Sequence, residues 1–219
     1  MYFAQFMKDL RKEKSLTQTE IANILDISAQ SIKKIENGTT KFPSKTLLEK
    51  LSNYLSQLPI EIASKIIFGD DDYDRDETGY LSNRYLAYKY LDGWNLDQVP
   101  IWLNYKTDSI CFAGKISKRR EPKNTSIIIE FSEFEVAMEK EFNIDDAYNV
   151  LAIIMTVVVQ SEESFRRVEV LFDISQYNES LAFQILENLK IHHLPIDMVL
   201  ILFDPDYGTI CNEAIKKKN

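Results

Sequence analysis

Cysteine is scarce in this chain. Cys111 and Cys211 are the only two among 219 residues, too few for a disulfide framework and suited to a reducing cytoplasm as small packing residues. Glycine and proline number six each, which excludes collagen-like and mucin-like chains, and 45% hydrophobic residues exclude a mostly disordered one. Histidine is confined to His192-His193, and no His-Glu-x-x-His pattern occurs, which argues against a histidine-based zinc site. No Gly-rich phosphate loop is present. The longest apolar run, Val150–Val159, is well short of the roughly 20 residues that a membrane helix needs. The opening segment, MYFAQFMKDLRKEK, lacks the apolar centre of an export signal. The expectation is a soluble cytoplasmic protein that needs no cofactor or metal and contacts no membrane.

Basic charge is also short, with a net charge of −8, but it is unevenly spread. Nine of the 26 Lys and Arg and six of the 34 Asp and Glu fall in residues 1–60, giving +3 there and leaving −11 on residues 61–219. A basic module joined to an acidic body is a footprint of local nucleic-acid binding.

The basic module reads as four to five helices. Phe3, Phe6, Met7 and Leu10 form one apolar stripe at helical spacing. Thr17 with Glu20 three residues on is a capping box that opens a second helix. Ser28 caps a third, which Asn37-Gly38 ends, glycine taking the left-handed C-terminal conformation at least cost. Pro43-Ser44 restarts a helix through Leu47, Leu48, Leu51 and Leu55, and a short one follows near Ile60–Ile67.

The segment Leu16–Gly38, LTQTEIANILDISAQSIKKIENG, resembles the helix-turn-helix of the Cro/repressor group, also called the xenobiotic-response-element type, and the resemblance covers roughly residues 3–57. Small Ala22 lets the two helices cross closely, with Ile21, Leu25, Ile27, Ile32 and Ile35 as the core between them. The resemblance implies that the third helix enters the major groove of double-stranded DNA. Ala29, Gln30, Ser31 and Lys34 then face the bases, with Gln30 suited to adenine, Lys34 to guanine and Ala29 to a thymine methyl. Ser28, at the start of the same helix, is counted with them as a DNA-binding residue. Gln18 matches the position that holds a phosphate and braces the recognition helix; Thr17 and Asn37 can donate to phosphate, and Lys41 adds charge. Arg11 and Glu36 match a salt-bridging pair, while Lys33 reads as a solvated charge. Members of the group act as dimers on palindromic sites, so a homodimer is expected.

Gly69–Glu77 carries six acids and one base; it reads as an acidic linker over 69–79, the sharper alternative being a DNA mimic. Residues 80–219 alternate helix and strand patterns and predict an α/β domain with a mixed sheet, serving for dimerisation or effector sensing. A helix is expected at Leu81–Leu91. Three strands follow at Val99–Tyr105, Ser109–Lys115 and Ser126–Phe131, the last two joined by a long polar loop. Phe134–Glu162 is mostly helix, with Asn143 the candidate point for a break. Val168–Asp173 and Met198–Asp204 are buried strands with a helix near Ser180–Lys190 between them, and Tyr207–Cys211 is an edge strand. His192-His193 falls in a loop.

Lys115–Lys123 is a basic loop, either solvated or touching phosphate or the acidic linker. Tyr80, Tyr85, Tyr88, Tyr90, Trp94, Trp102 and Tyr105 read as core or dimer interface, or as a pocket for a peptide or small-molecule effector. Ala113-Gly114 lacks the serine motif of a self-cleaving repressor. The order helix, three strands, helix, strand loosely resembles the PD-(D/E)xK nuclease core, with Asp108 and Glu130 as a Mg²⁺-binding pair. Glu130-Phe131-Ser132 lacks the lysine that core requires, so no catalytic residues are assigned. The expected function is a dimeric transcriptional regulator, most simply a repressor. Alternatives are a Mg²⁺-dependent nuclease targeted by the helix-turn-helix, and an antitoxin-like autoregulator that binds a partner protein.

Overall fold

Capping chemistry sets the helices of the N-terminal part. The computed structural model describes residues 2–69, 79–105, 108–131, 144–161, 164–174 and 196–216. It divides into two units, Met1–Tyr73 and Asp74–Asn219. The first holds α1 (Tyr2–Glu13), α2 (Gln18–Ile24), α3 (Ala29–Glu36), α4 (Lys45–Leu55) and α5 (Pro59–Phe68). Thr17, Ser28 and Ser44 each cap a helix by accepting from the backbone three residues on. Pro59 opens α5, where a missing N–H costs nothing. Phe3, Met7, Leu10, Ile21, Ala22, Leu25, Ile32, Ile35, Leu48, Leu51 and Ile62 form the core. Ile27, expected in that core, is only half-buried, because it lies in the α2–α3 turn, where its N–H bonds to Ala22 O. Asp26 takes a left-handed φ of 47° in that turn, a conformation that a short polar side chain tolerates. Lys50 Nζ pins it, donating to Asp26 O at 2.8 Å and Oδ2 at 2.9 Å.

The second unit is α/β. After α6 (Tyr80–Leu91) come β1 (Trp94–Gln98), β2 (Ile101–Tyr105), β3 (Asp108–Phe112), β4 (Gly114–Lys118) and β5 (Glu121–Glu130). Then follow α7 (Ile144–Gln160), β6 (Arg167–Asp173), β7 (Asp197–Asp204) and β8 (Thr209–Lys216). The main sheet has the order β1-β4-β5-β6-β7-β8, while β2 and β3 form a separate antiparallel ribbon. β5, β6 and β7 run parallel and the other pairs antiparallel, so the sheet is mixed. Residues alternate across it. Ile127, Ile129, Val168, Val170, Phe172, Leu200 and Leu202 share a core with α7 and the ribbon. On the opposite face α6 packs against β1, β5 and β6. Among the described residues no helix is long and apolar enough to cross a membrane.

Several expected elements change here. The region expected to hold three strands holds five. β1 was not anticipated, and the single strand expected over Ser109–Lys115 is two, β3 and β4, in different sheets. The long polar loop after it is instead a hairpin: Lys118 pairs with Glu121 across a two-residue turn, and β5 runs from there to Glu130. β8 extends beyond the expected edge strand, to Lys216. The helix expected at Ser180–Lys190, His192-His193, the helix segment before Ile144 and most of the acidic linker lie outside the described residues.

Candidate nucleic-acid interface

Helical periodicity decides which side chains of α3 meet solvent. Ile32, Ile35 and Glu36 are buried, so Ala29, Gln30, Lys33, Lys34 and Asn37 emerge on the other side, and all five are exposed. With Gln18 of α2 and Thr39 they line one surface depression of about 540 Å³. Five residues expected from the sequence to touch DNA thus converge: Gln18, Ala29, Gln30, Lys34 and Asn37. Lys33 and Thr39 complete the lining; Lys33 is exposed, as expected of a solvated charge, and stands three and four positions from Gln30 and Ala29, on their face.

The remaining expected residues lie around this face in other roles. Ser28 Oγ accepts from Ser31 N at 3.1 Å and lies 2.8 Å from Ser31 Oγ, so the two hydroxyls fix the start of α3. Thr17 is engaged more completely. Its hydroxyl accepts from Glu20 N at 3.2 Å while donating to Glu20 Oε2 at 2.7 Å, the distance at which its N–H also donates. Those bonds hold the Glu20 carboxyl below its usual range and leave a negative charge beside Thr17. Lys41 is exposed but not part of the lining.

The helix is held at its far end by a buried charge network. Arg11 Nε donates to Glu36 Oε1 at 2.8 Å and its Nη2 to Oε2 at 3.3 Å, while Nη1 donates to Leu16 O at 3.1 Å. Gln18 Nε2 donates to Glu36 Oε2 at 2.8 Å, so the bracing expected of Gln18 is made through that carboxylate. Glu36 is 4% exposed. Burial pushes its carboxyl up, but the hydrogen bonds from Arg11 and Gln18 and the Arg11 charge outweigh burial and hold it below the usual value. Beyond Asn37, Gly38 at φ 74° donates to Ile35 O and Thr39 N to Lys34 O. This pairing is a Schellman ending that satisfies the last carbonyls and turns the chain away.

The nuclease pair does not assemble in the same way. Glu130 is buried, and its Oε2 accepts from Ser82 N at 3.2 Å and Ser82 Oγ at 2.7 Å, at the first turn of α6. Asp108 belongs to the β2–β3 ribbon, whose buried residues pack on the α7 face, opposite α6. Among the described residues no three His, Cys, Asp or Glu are grouped to hold a metal. The aromatic run is mostly packing. Tyr85 and Tyr88 rest on Phe203 with ring centroids 5.1 and 5.8 Å away, and Trp94 is buried, while Trp102 is 61% exposed.

Residues 7–62 match the family model described as Helix-turn-helix. Comparison with curated proteins and with solved structures gives no significant match. Residues 7–62 therefore form a helix-turn-helix domain of the Cro/repressor type, a DNA-binding fold of transcriptional regulators.

Proposed function

We propose that this protein is a sequence-specific regulator, most simply a repressor, that binds a two-fold symmetric operator in the cytoplasm as a homodimer. The carrying observation is the exposed Ala29-Gln30-Lys33-Lys34 face of α3, anchored at its end by buried Glu36. Gln30 and Lys34 offer the donors and acceptors that distinguish bases in the major groove. Lys33, Asn37 and Thr39 border them as phosphate partners, which fix register without reading sequence. Ser28 and Ser31 set the helix start that presents these groups. One such module covers half a symmetric site, and the α/β unit supplies dimerisation or effector sensing. The mechanism is occupancy of promoter DNA. It requires no catalytic step and no cofactor.

The test is a footprint of the full chain on DNA flanking its own gene, in EDTA and with Mg²⁺. A two-fold protected site, identical in both, is the expected result; strand cutting that requires Mg²⁺ would overturn it. Gln30→Ala should relax preference at one base pair per half-site by about 1–3 kcal/mol. Lys33→Ala should weaken binding to every sequence alike and reduce the salt slope by about one. Equal weakening by Gln30→Ala on all sequences would remove Gln30 from base reading.

A further inference from the structure

The acidic unit carries one concentrated basic feature that the helix-turn-helix does not use. Lys115–Lys123 holds five cations and a single acid, Glu121, within a region whose charge is otherwise strongly negative. The structure turns this segment into a hairpin tip. β4 ends at Lys118, Arg119-Arg120 form the turn, and β5 starts at Glu121. The pairing then skips from Lys118–Glu121 to Ser117–Thr125, a bulge that contains Pro122, which has no N–H for the ladder. Lys118, Arg119, Arg120 and Lys123 are all exposed. Arg166 joins them on the same rim: its N–H donates to Thr125 O at 3.0 Å and its side chain is exposed. No carboxylate among the described residues ion-pairs with any of these five.

The tip has a built foundation. The Arg119 guanidinium lies 4.7 Å from the Tyr90 ring centroid, Nη2 donates to Tyr90 O at 3.4 Å, and Arg119 N donates to Gly93 O at 3.3 Å. Lys118 Nζ lies 6.0 Å from the Trp94 ring. The corner between α6 and β1 thus holds two of the cations in place from below, so less side-chain freedom remains to be lost when an anion docks. Adjacent like charges fixed at a tight turn repel one another, and a row of phosphates relieves that repulsion. Arginine forks match phosphate oxygens in bidentate fashion.

We propose that the β4–β5 hairpin tip is a second DNA contact, which grips phosphodiester groups without reading sequence. That it engages the same duplex as α3 rests on the reading of α3 as the base-reading helix; the phosphate contact itself does not. The structure favours DNA over an acidic protein segment because the cations stand exposed together at a hairpin tip and the strand end beside it, where the regularly spaced phosphates of a duplex can meet several at once.

The test uses the full chain with two variants, Arg119→Gln/Arg120→Gln and Arg120→Gln/Lys123→Gln. The second pair has no contact with the Tyr90 foundation, so loss of folding does not confuse it. Fluorescence anisotropy is read on a duplex carrying the footprinted site with long flanks and on a scrambled duplex of equal length, from about 50 to 200 mM salt. Each variant should lower the slope of log K against log salt by roughly two and weaken low-salt binding by about 10-fold or more on both duplexes. The preference between duplexes should be unchanged. An unchanged slope in both variants overturns the proposal. So does tighter binding, which would mean that the tip holds the chain's own acidic segment. Absence of any preference in the wild-type chain would instead sink the base-reading role of α3, while the slope would still decide the hairpin contact.

Discussion

Replacing Arg11 by Met tests the scaffold beneath the DNA-reading face. Methionine keeps most of the apolar stem that packs between α1 and α3 but removes both ion-pair bonds to Glu36 and the bond to Leu16 O. Glu36, 4% exposed, is then left with Gln18 as its remaining donor among the described residues. Removing one partner of a buried pair costs about 3–5 kcal/mol. The Arg11 side chain is 23% exposed and Gln18 persists, so the loss should fall toward the low side, about 2–3 kcal/mol. For a domain of this size that lowers Tm by about 10–20 °C.

The pH dependence separates charge from packing. In the wild type the folded Glu36 carboxyl sits below its ordinary 4.5, so its contribution is full above that value and is lost as pH falls through the folded pKa. In the variant burial acts without Arg11 and raises the carboxyl, so acidification relieves the buried charge. The stability deficit should therefore be largest near neutrality and shrink as pH falls through about 4.5. Scanning calorimetry of the full chain, with hydrogen exchange assigning the transition to residues 2–69, reads both quantities. A deficit under about 0.5 kcal/mol, or one that does not change with pH, would refute the charge network as the anchor of α3.

Two further substitutions probe separate parts of the fold. Gly38→Ala places a Cβ at φ 74° and should cost about 1–2 kcal/mol in the same transition; no change would show that the helix ending does not depend on that conformation. Lys89→Met removes the 3.0 Å ion pair from Glu169, 0% exposed, and leaves it the Tyr85 hydroxyl and the longer Arg167 contact at 3.7 Å; it should destabilise the α/β unit by about 2–3 kcal/mol. Adding Glu169→Gln should recover part of that loss in chemical denaturation, and a strictly additive double variant would show that the two residues are not coupled.

The N-terminal domain was legible because its determinants are local or strongly periodic. The Thr17–Glu20 capping box spans four residues, Gly38 ends its helix ten positions after Ser28, and the buried face of α3 follows from Ile32 and Ile35 alone. Even the Arg11–Glu36 bridge, 25 positions apart, came through the resemblance of the whole motif rather than through any pattern in the residues themselves. Lys33 is exposed, as a solvated charge should be, and its place beside the same depression could not be read from the sequence, because Gln18 of α2 and Thr39 after Gly38 are what border it.

The α/β unit was less legible because its signals depend on distant partners. β1 is an edge strand in which only Trp94 is buried, so it has no alternation to detect. Between β3 and β4, Ile110, Phe112, Gly114 and Ile116 keep a period of two across Ala113, which hides the point where the chain leaves the ribbon and enters the main sheet. The carboxylates show the same effect in energetic form. Glu130 in an isoleucine-rich strand looked like a metal ligand, yet its oxygen serves the start of α6 through Ser82, 48 positions earlier. Glu169, inside another apolar strand, takes the Tyr85 hydroxyl at 2.7 Å across 84 positions and the Lys89 ammonium. A charge in an apolar run implies only that compensation exists somewhere. The chain's own helix face is one source of that compensation and a metal is another, and the choice between them is made by the register that sets α6 over β5 and β6.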